Sequence, residues 1–177
     1  MNKSIFFIFA CISHLSIILL SLSKLKNNEK LVYILGHLLI CSTMLMRISE
    51  SMRGHIATSI IGSIGHTLLF VYFISEIFIR KNIPINSFPY YLTISCIIAQ
   101  IGMIIVYWYE YIEEENIELT QPLENFMTIN KYIALVLLAI FYYFNGIISN
   151  HTTTMIPNIF MTATYLMAIY LFRLETH

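Results

Sequence analysis

The sequence predicts an all-α fold: a polytopic transmembrane helix bundle with about six spans. Three observations support this. Of the 177 residues, 58% are hydrophobic and only 11% are charged, whereas a soluble domain is about a quarter charged. The charges are confined to short segments, and the stretches between them approach the roughly 20 apolar residues that a spanning helix needs. All but one of the connections are short, so residues 1–177 are expected to form a single membrane-embedded domain.

The first three predicted spans cover 4–23, 31–49 and 55–79. The apolar part of the first is too long for a signal-peptide core, and no small-x-small cleavage pattern follows it, so it is retained as a helix. The second reaches a spanning length only if it continues past Arg47. The third contains small residues at helical spacing, including Gly62, which allow helices to approach closely in lipid. We therefore expect the third helix to lie at the packing centre.

The last three predicted spans cover 88–110, 130–148 and 154–173. Residues 132–172 contain no Lys, Arg or Glu. As one helix this stretch would be about 60 Å long, twice the thickness of the bilayer core. Its polar middle contains Pro157, which favours a turn, so the stretch is divided into two helices.

Segment 111–129 holds five Glu and is predicted to be an acidic extramembrane loop. Six spans place both termini on one side, with the basic residues divided five against five, so the positive-inside rule gives no orientation. The formal net charge is zero, which leaves no basic excess to attract nucleic acid. The expected location is a membrane, the inner cell membrane if the source is bacterial. The expected partners are the lipid bilayer and either further copies of the chain or another membrane protein.

Three histidines fall at similar predicted depths in the first three helices: His14, His37 and His66. Cys11 lies three residues before His14 and Cys41 four residues after His37, which places each pair on one helix face. Imidazole and thiolate are ligands of zinc, copper and iron, and imidazole pairs also hold b-type haem. Three interpretations follow: hydrogen bonds between helices, a transition-metal or haem site, or a proton relay. If the histidines share a site, at least two of the three rings should lie close together.

An interfacial charge cluster is predicted where the second helix ends. Glu50 lies three residues from both Arg47 and Arg53, a spacing that permits helical ion pairs. This cluster is interpreted as a membrane anchor beside a tight turn, or alternatively as a gate or anion-binding vestibule.

Four uncharged polar residues in the later helices form a possible polar path, or alternatively make hydrogen bonds between helices. They are Gln100, Asn145, Asn158 and Thr162.

The sequence contains no Gly-rich phosphate loop and no zinc-protease motif, and no catalytic residue is predicted, which favours a function other than catalysis. Three classes of function remain. The first, favoured because small bundles with interior polar groups often handle solutes, is a transporter or channel that uses the polar site on helices one to three. The second is a membrane haem- or metal-binding electron-transfer protein. The third is an accessory, regulatory or immunity protein that binds another membrane protein.

Overall fold

A computed structural model describes residues 3–24, 30–149 and 151–175, with side chains described as far as residue 173. The described residues form six α-helices and no strands, which confirms the predicted bundle. Five of the helices, all but the second, are long and apolar enough to cross a membrane, which indicates a multi-pass membrane protein. The helices are α1 Lys3–Ser23, α2 Leu31–Met46, α3 Ile56–Ile74, α4 Phe88–Glu114, α5 Gln121–Ile148 and α6 Thr152–Glu175.

The six helices pack in a ring that follows the chain order. Each helix contacts its neighbours in sequence, and α6 returns to pack against α1. Successive helices run in opposite directions, so the start of α1 and the end of α6 lie at the same end of the bundle. We call this the terminal end and the other the opposite end. A ring of helices leaves one face of each helix for the interior and one for lipid.

Local sequence explains several of the helix boundaries. Gly54 takes a φ of 70° before α3, a conformation that suits glycine because it has no Cβ. The side chain of His55 then accepts a hydrogen bond from the Ala57 N–H. The Ser87 hydroxyl accepts one from the Tyr90 N–H at the start of α4. Both side chains satisfy amide groups that a helix N-terminus would otherwise leave unpaired.

The structure places several boundaries differently from the sequence prediction, among them the end of α4, which lies at Glu114 rather than at 110. Helix α2 ends at Met46 rather than at residue 49. Helix α5 begins at Gln121 rather than at 130, so most of the predicted acidic loop is helical and only 115–120 connects the helices. Pro122 in the first turn explains this early start, because proline is compatible with the beginning of a helix.

Another difference concerns Pro157, which lies within α6 rather than in the turn before it. The chain turns earlier, between the end of α5 at Ile148 and the start of α6 at Thr152. Because Pro157 is close to the start of the helix, its missing N–H removes a single backbone hydrogen bond from the helix.

Small residues of α3 lie where it crosses its neighbours. A Cβ added to Gly65 would meet the backbone oxygen of Gly36 on α2 at 3.0 Å. A Cβ added to Gly62 would collide with the ring of Tyr107 on α4. The α3 backbone therefore approaches both neighbours at distances that only glycine permits at these positions.

Candidate functional site: a histidine pair between two cavities

Two cavities enter the bundle from its two ends. The terminal cavity has a volume of about 260 Å³ and extends from residues near the terminal end, such as Lys3, inward to His14 and His66. The opposite cavity has a volume of about 350 Å³ and extends from Lys24 and neighbouring residues inward to Tyr33. The described side chains between the cavities therefore form the barrier within the bundle.

His14 and His37 form the centre of this barrier. Their Nδ1 atoms lie 2.8 Å apart, a hydrogen-bonding distance, and their ring centroids are 5.1 Å apart. Both side chains are buried, and His37 has no exposed surface. His14 lines the terminal cavity, so the pair leads from that cavity into the closed interior.

The line of polar groups continues from His37 towards the opposite cavity. The Nε2 atom of His37 lies 3.4 Å from the hydroxyl oxygen of Tyr142 on α5, and the phenol of Tyr33 lies close to that of Tyr142. Tyr33 also packs edge-on against His37, at 4.5 Å between ring centroids, and it lines the opposite cavity. We call the line His14, His37, Tyr142 and Tyr33 the histidine–tyrosine line.

His66, the third histidine singled out in the sequence, belongs to a different contact. Its Nδ1 atom lies 2.6 Å from the Gln100 side-chain oxygen on α4, and its ring lies 5.5 Å from that of Tyr107. His66 is buried and lines the terminal cavity. The structure thus joins two of the three histidines directly and places the third on the wall of the terminal cavity.

The two cysteines form a second layer beside the histidine pair. The Sγ atoms of Cys11 and Cys41 lie 3.0 Å apart, and both are free thiols. Across the part of the chain that the structure describes, no group of three or more His, Cys, Asp or Glu residues is arranged to hold a metal ion. The Nδ1 atoms of His14 and His37 contact each other directly, and the haem or metal interpretation stays a prediction.

The interfacial charge cluster is divided between two separate ion pairs. Arg53 contacts Glu50 at 3.3 Å on the surface, but Arg47 contacts Glu110 of α4 at 2.6 Å and stacks over the Tyr107 ring at 4.4 Å. The expected pairing of Arg47 with Glu50 is therefore wrong. The reason is that α2 ends before Arg47, so Arg47 and Glu50 do not share a continuous helix face.

The four residues of the possible polar path do not form one line. Asn145 and Asn158 both line the opposite cavity, where their side-chain amides lie 3.5 Å apart. Gln100 is instead bonded to His66. The hydroxyl of Thr162 donates to the Asn158 backbone oxygen within α6. Only the two asparagines are associated with a cavity.

Sequence reasoning missed Tyr33, Tyr142 and Glu110 as site residues. Tyr142 belongs to a run of aromatic residues at 141–144, where nothing distinguishes the one ring that faces the interior from its neighbours. Glu110 offered a weak signal for a site. It is an acidic residue within a predicted span, and such a residue needs a buried partner.

Comparisons with protein-family models, with curated proteins and with solved structures found no match to this chain.

Proposed function

We propose that this protein is a small membrane transport protein that conducts protons along the histidine–tyrosine line. One observation carries the proposal: hydrogen-bonding groups connect two cavities that enter the bundle from opposite ends. Ionisable groups at membrane depth are costly and commonly mark ion or proton pathways. The path found here accounts for two of the three buried histidines.

Imidazole suits such a line because its two ring nitrogens can accept a proton at one atom and release a proton from the other. His14 would take up a proton at Nε2 from the terminal cavity and pass its Nδ1 proton to Nδ1 of His37. His37 would then pass its Nε2 proton to the hydroxyl of Tyr142. Tyr142 would release its own proton to Tyr33, and Tyr33 to the opposite cavity. One proton enters and one leaves, and the groups return to their starting state when their hydrogens reorient.

Protons are favoured over larger solutes because the barrier between the cavities is densely packed. Tyr142, Leu138 and Met161 have no exposed surface. A larger solute would have to separate the helices around these side chains, whereas a proton can pass from one polar group to the next without displacing the side chains. The proposal therefore requires only small movements of rings and hydroxyl groups.

The experiment is a proton-flux measurement in vesicles. Purified protein is reconstituted into liposomes that contain a pH-sensitive dye, and a potassium diffusion potential drives proton entry. We expect flux above that of protein-free liposomes, and we expect His37→Phe, which keeps an aromatic ring of similar size, to reduce it to the protein-free level. The matched control is His151→Phe, because His151 is an exposed histidine that lines neither cavity.

Wild-type flux equal to that of protein-free liposomes would overturn the proposal. So would flux that survives in His37→Phe. Either result would leave binding to another membrane protein as the function to test next, by pull-down in mild detergent.

A further inference from the structure

The terminal cavity has features that the proton path does not use. Its inner wall is apolar and includes Phe7, Ala10, Ala168 and Leu171. Its volume of about 260 Å³ exceeds the roughly 150 Å³ of an engineered protein cavity that binds benzene. The space therefore accommodates a single aromatic ring with a small substituent.

Arg47 supplies a hydrogen-bond donor to this cavity. Its side chain is buried and lines the cavity, and its charge is balanced by the contact with Glu110 at 2.6 Å. Its Nε atom has no hydrogen-bond partner among the described residues. A buried donor without a partner is costly, and a bound ligand that accepted this hydrogen bond would remove the cost.

His66 supplies a hydrogen-bond acceptor to the same cavity. The side-chain nitrogen of Gln100 donates to the Cys96 Sγ at 3.4 Å, so the Gln100 oxygen is the atom that accepts from His66 Nδ1 at 2.6 Å. His66 therefore carries its proton on Nδ1, and Nε2 is left as an acceptor. Within the part of the chain that the structure describes, this buried Nε2 atom also has no hydrogen-bond partner.

The two groups both contact the ring of Tyr107. The Arg47 guanidinium stacks on Tyr107 at 4.4 Å, and the His66 ring packs against Tyr107 at 5.5 Å between centroids. A donor and an acceptor thus both belong to side chains that contact Tyr107 and line the same cavity. The ligand that complements them carries an acceptor and a donor and has no net charge, because Glu110 already balances Arg47.

We propose that the terminal cavity binds a small amphipathic carboxylic acid in its protonated form. The carbonyl oxygen of the acid accepts from Arg47 Nε, its hydroxyl donates to His66 Nε2, and its apolar body lies against Phe7, Ala168 and Leu171. This site shares the terminal cavity with His14, but binding of the acid does not require conduction along the histidine–tyrosine line.

The charges that line the cavity are compatible with the approach of such an acid. They comprise four basic and three acidic side chains. This small basic excess favours the approach of the anionic form, which takes up a proton when it binds as the acid. These residues are Lys3, Arg47, Arg53, Lys131, Glu110, Glu113 and Glu114.

The test is equilibrium binding of radiolabelled benzoate to the purified protein in detergent, with protein-free micelles as the blank. We expect saturable binding of one benzoate per chain. Unlabelled toluene, which has the ring but no polar group, should compete at least about tenfold more weakly than unlabelled benzoic acid, because the two hydrogen bonds are absent. This comparison uses the wild-type protein only and does not depend on whether a variant folds.

Two substitutions test the hydrogen-bonding groups. Arg47→Met and His66→Phe should each weaken binding by about tenfold or more. The matched controls, Arg80→Met and His151→Phe, change the same residue types outside the terminal cavity and should bind benzoate as the wild type does. The melting temperature of each variant shows whether it has folded.

Two results would overturn the proposal. Benzoate binding that does not saturate would indicate partition into the micelle, and equal competition by toluene would indicate an unspecific apolar site. Unchanged affinity in both cavity variants would overturn it as well. The binding measurement does not require conduction. A protein that conducts protons without binding benzoate therefore refutes this site alone, whereas one that binds benzoate without conducting refutes the proposed function alone.

Discussion

The interface between α1 and α2 differs in kind from the interface between α3 and α4. In the first, ionisable side chains meet each other directly, as His14 meets His37 and Cys11 meets Cys41. In the second, a small residue lies beneath a large ring, as Gly62 lies beneath Tyr107. The difference teaches that a substitution at the histidine contact between α1 and α2 should mainly alter proton flux, whereas one at the Gly62–Tyr107 crossing should mainly alter stability.

The largest expected effect is on proton flux, and it should differ between the substitutions of two tyrosines, Tyr142 and Tyr107. Tyr142→Phe removes the group that contacts His37 at 3.4 Å and should lower proton flux by about tenfold or more, since positioned proton-transfer groups commonly contribute at least a hundredfold. Tyr107→Phe keeps the ring that covers Gly62 but removes its hydroxyl, which contacts Thr43 of α2 at 3.0 Å, and it should lower flux much less. Equal losses in the liposome assay would contradict the division between the two interfaces.

A smaller effect, on stability, is expected at the crossing of α3 and α4. Gly62→Leu introduces a side chain where even a Cβ collides with Tyr107, and overpacking of this kind costs about 1–3 kcal/mol. The control is Thr67→Leu on the same helix, because Thr67 is exposed on the face away from the interior. Melting temperatures in detergent measure both variants, and equal values would show that this crossing tolerates a larger residue.

The smallest expected effect concerns the polar contact within the α3–α4 interface. His66→Leu removes the hydrogen bond to Gln100 and should destabilise the bundle by about 0.6 kcal/mol, the usual contribution of such bonds between membrane helices. The same detergent melting experiment measures it. A loss as large as that of Gly62→Leu would mean that the polar contact, and not the close backbone approach, holds α3 against α4.

Much of the fold could be predicted from the sequence, because the positions of the charged residues indicate which segments lie within the membrane. The uncharged stretches located all six helices. The observed helix ends differ from the predicted ones by a few residues, apart from the early start of α5 at Gln121. That start lies outside the apolar stretch, where hydropathy gives no information. The signal there was local: Pro122 is compatible with the first turn of a helix.

The candidate site was less predictable, because depth does not fix the rotation of a helix about its axis. The sequence placed His14, His37 and His66 at similar depths but could not show that His37 turns towards His14 while His66 turns towards Gln100. Spacing along the chain also suggested Glu50 as a partner for Arg47. The actual partner, Glu110, lies far away in sequence and reaches Arg47 only because α4 packs against α3 and its last turns come close to the end of α2.

The shortness of α2 has a consequence for the surrounding lipid. Its 16 residues span about 24 Å, less than the roughly 30 Å of a typical hydrocarbon core. A helix that is too short is accommodated by local thinning of the bilayer or by flanking residues that reach the interface. Arg47 does not reach outwards, because it is held inside the bundle by Glu110, so we expect the bilayer to thin at this end of α2. We therefore expect lipids with longer acyl chains to strain the Arg47–Glu110 pair more than lipids with shorter ones.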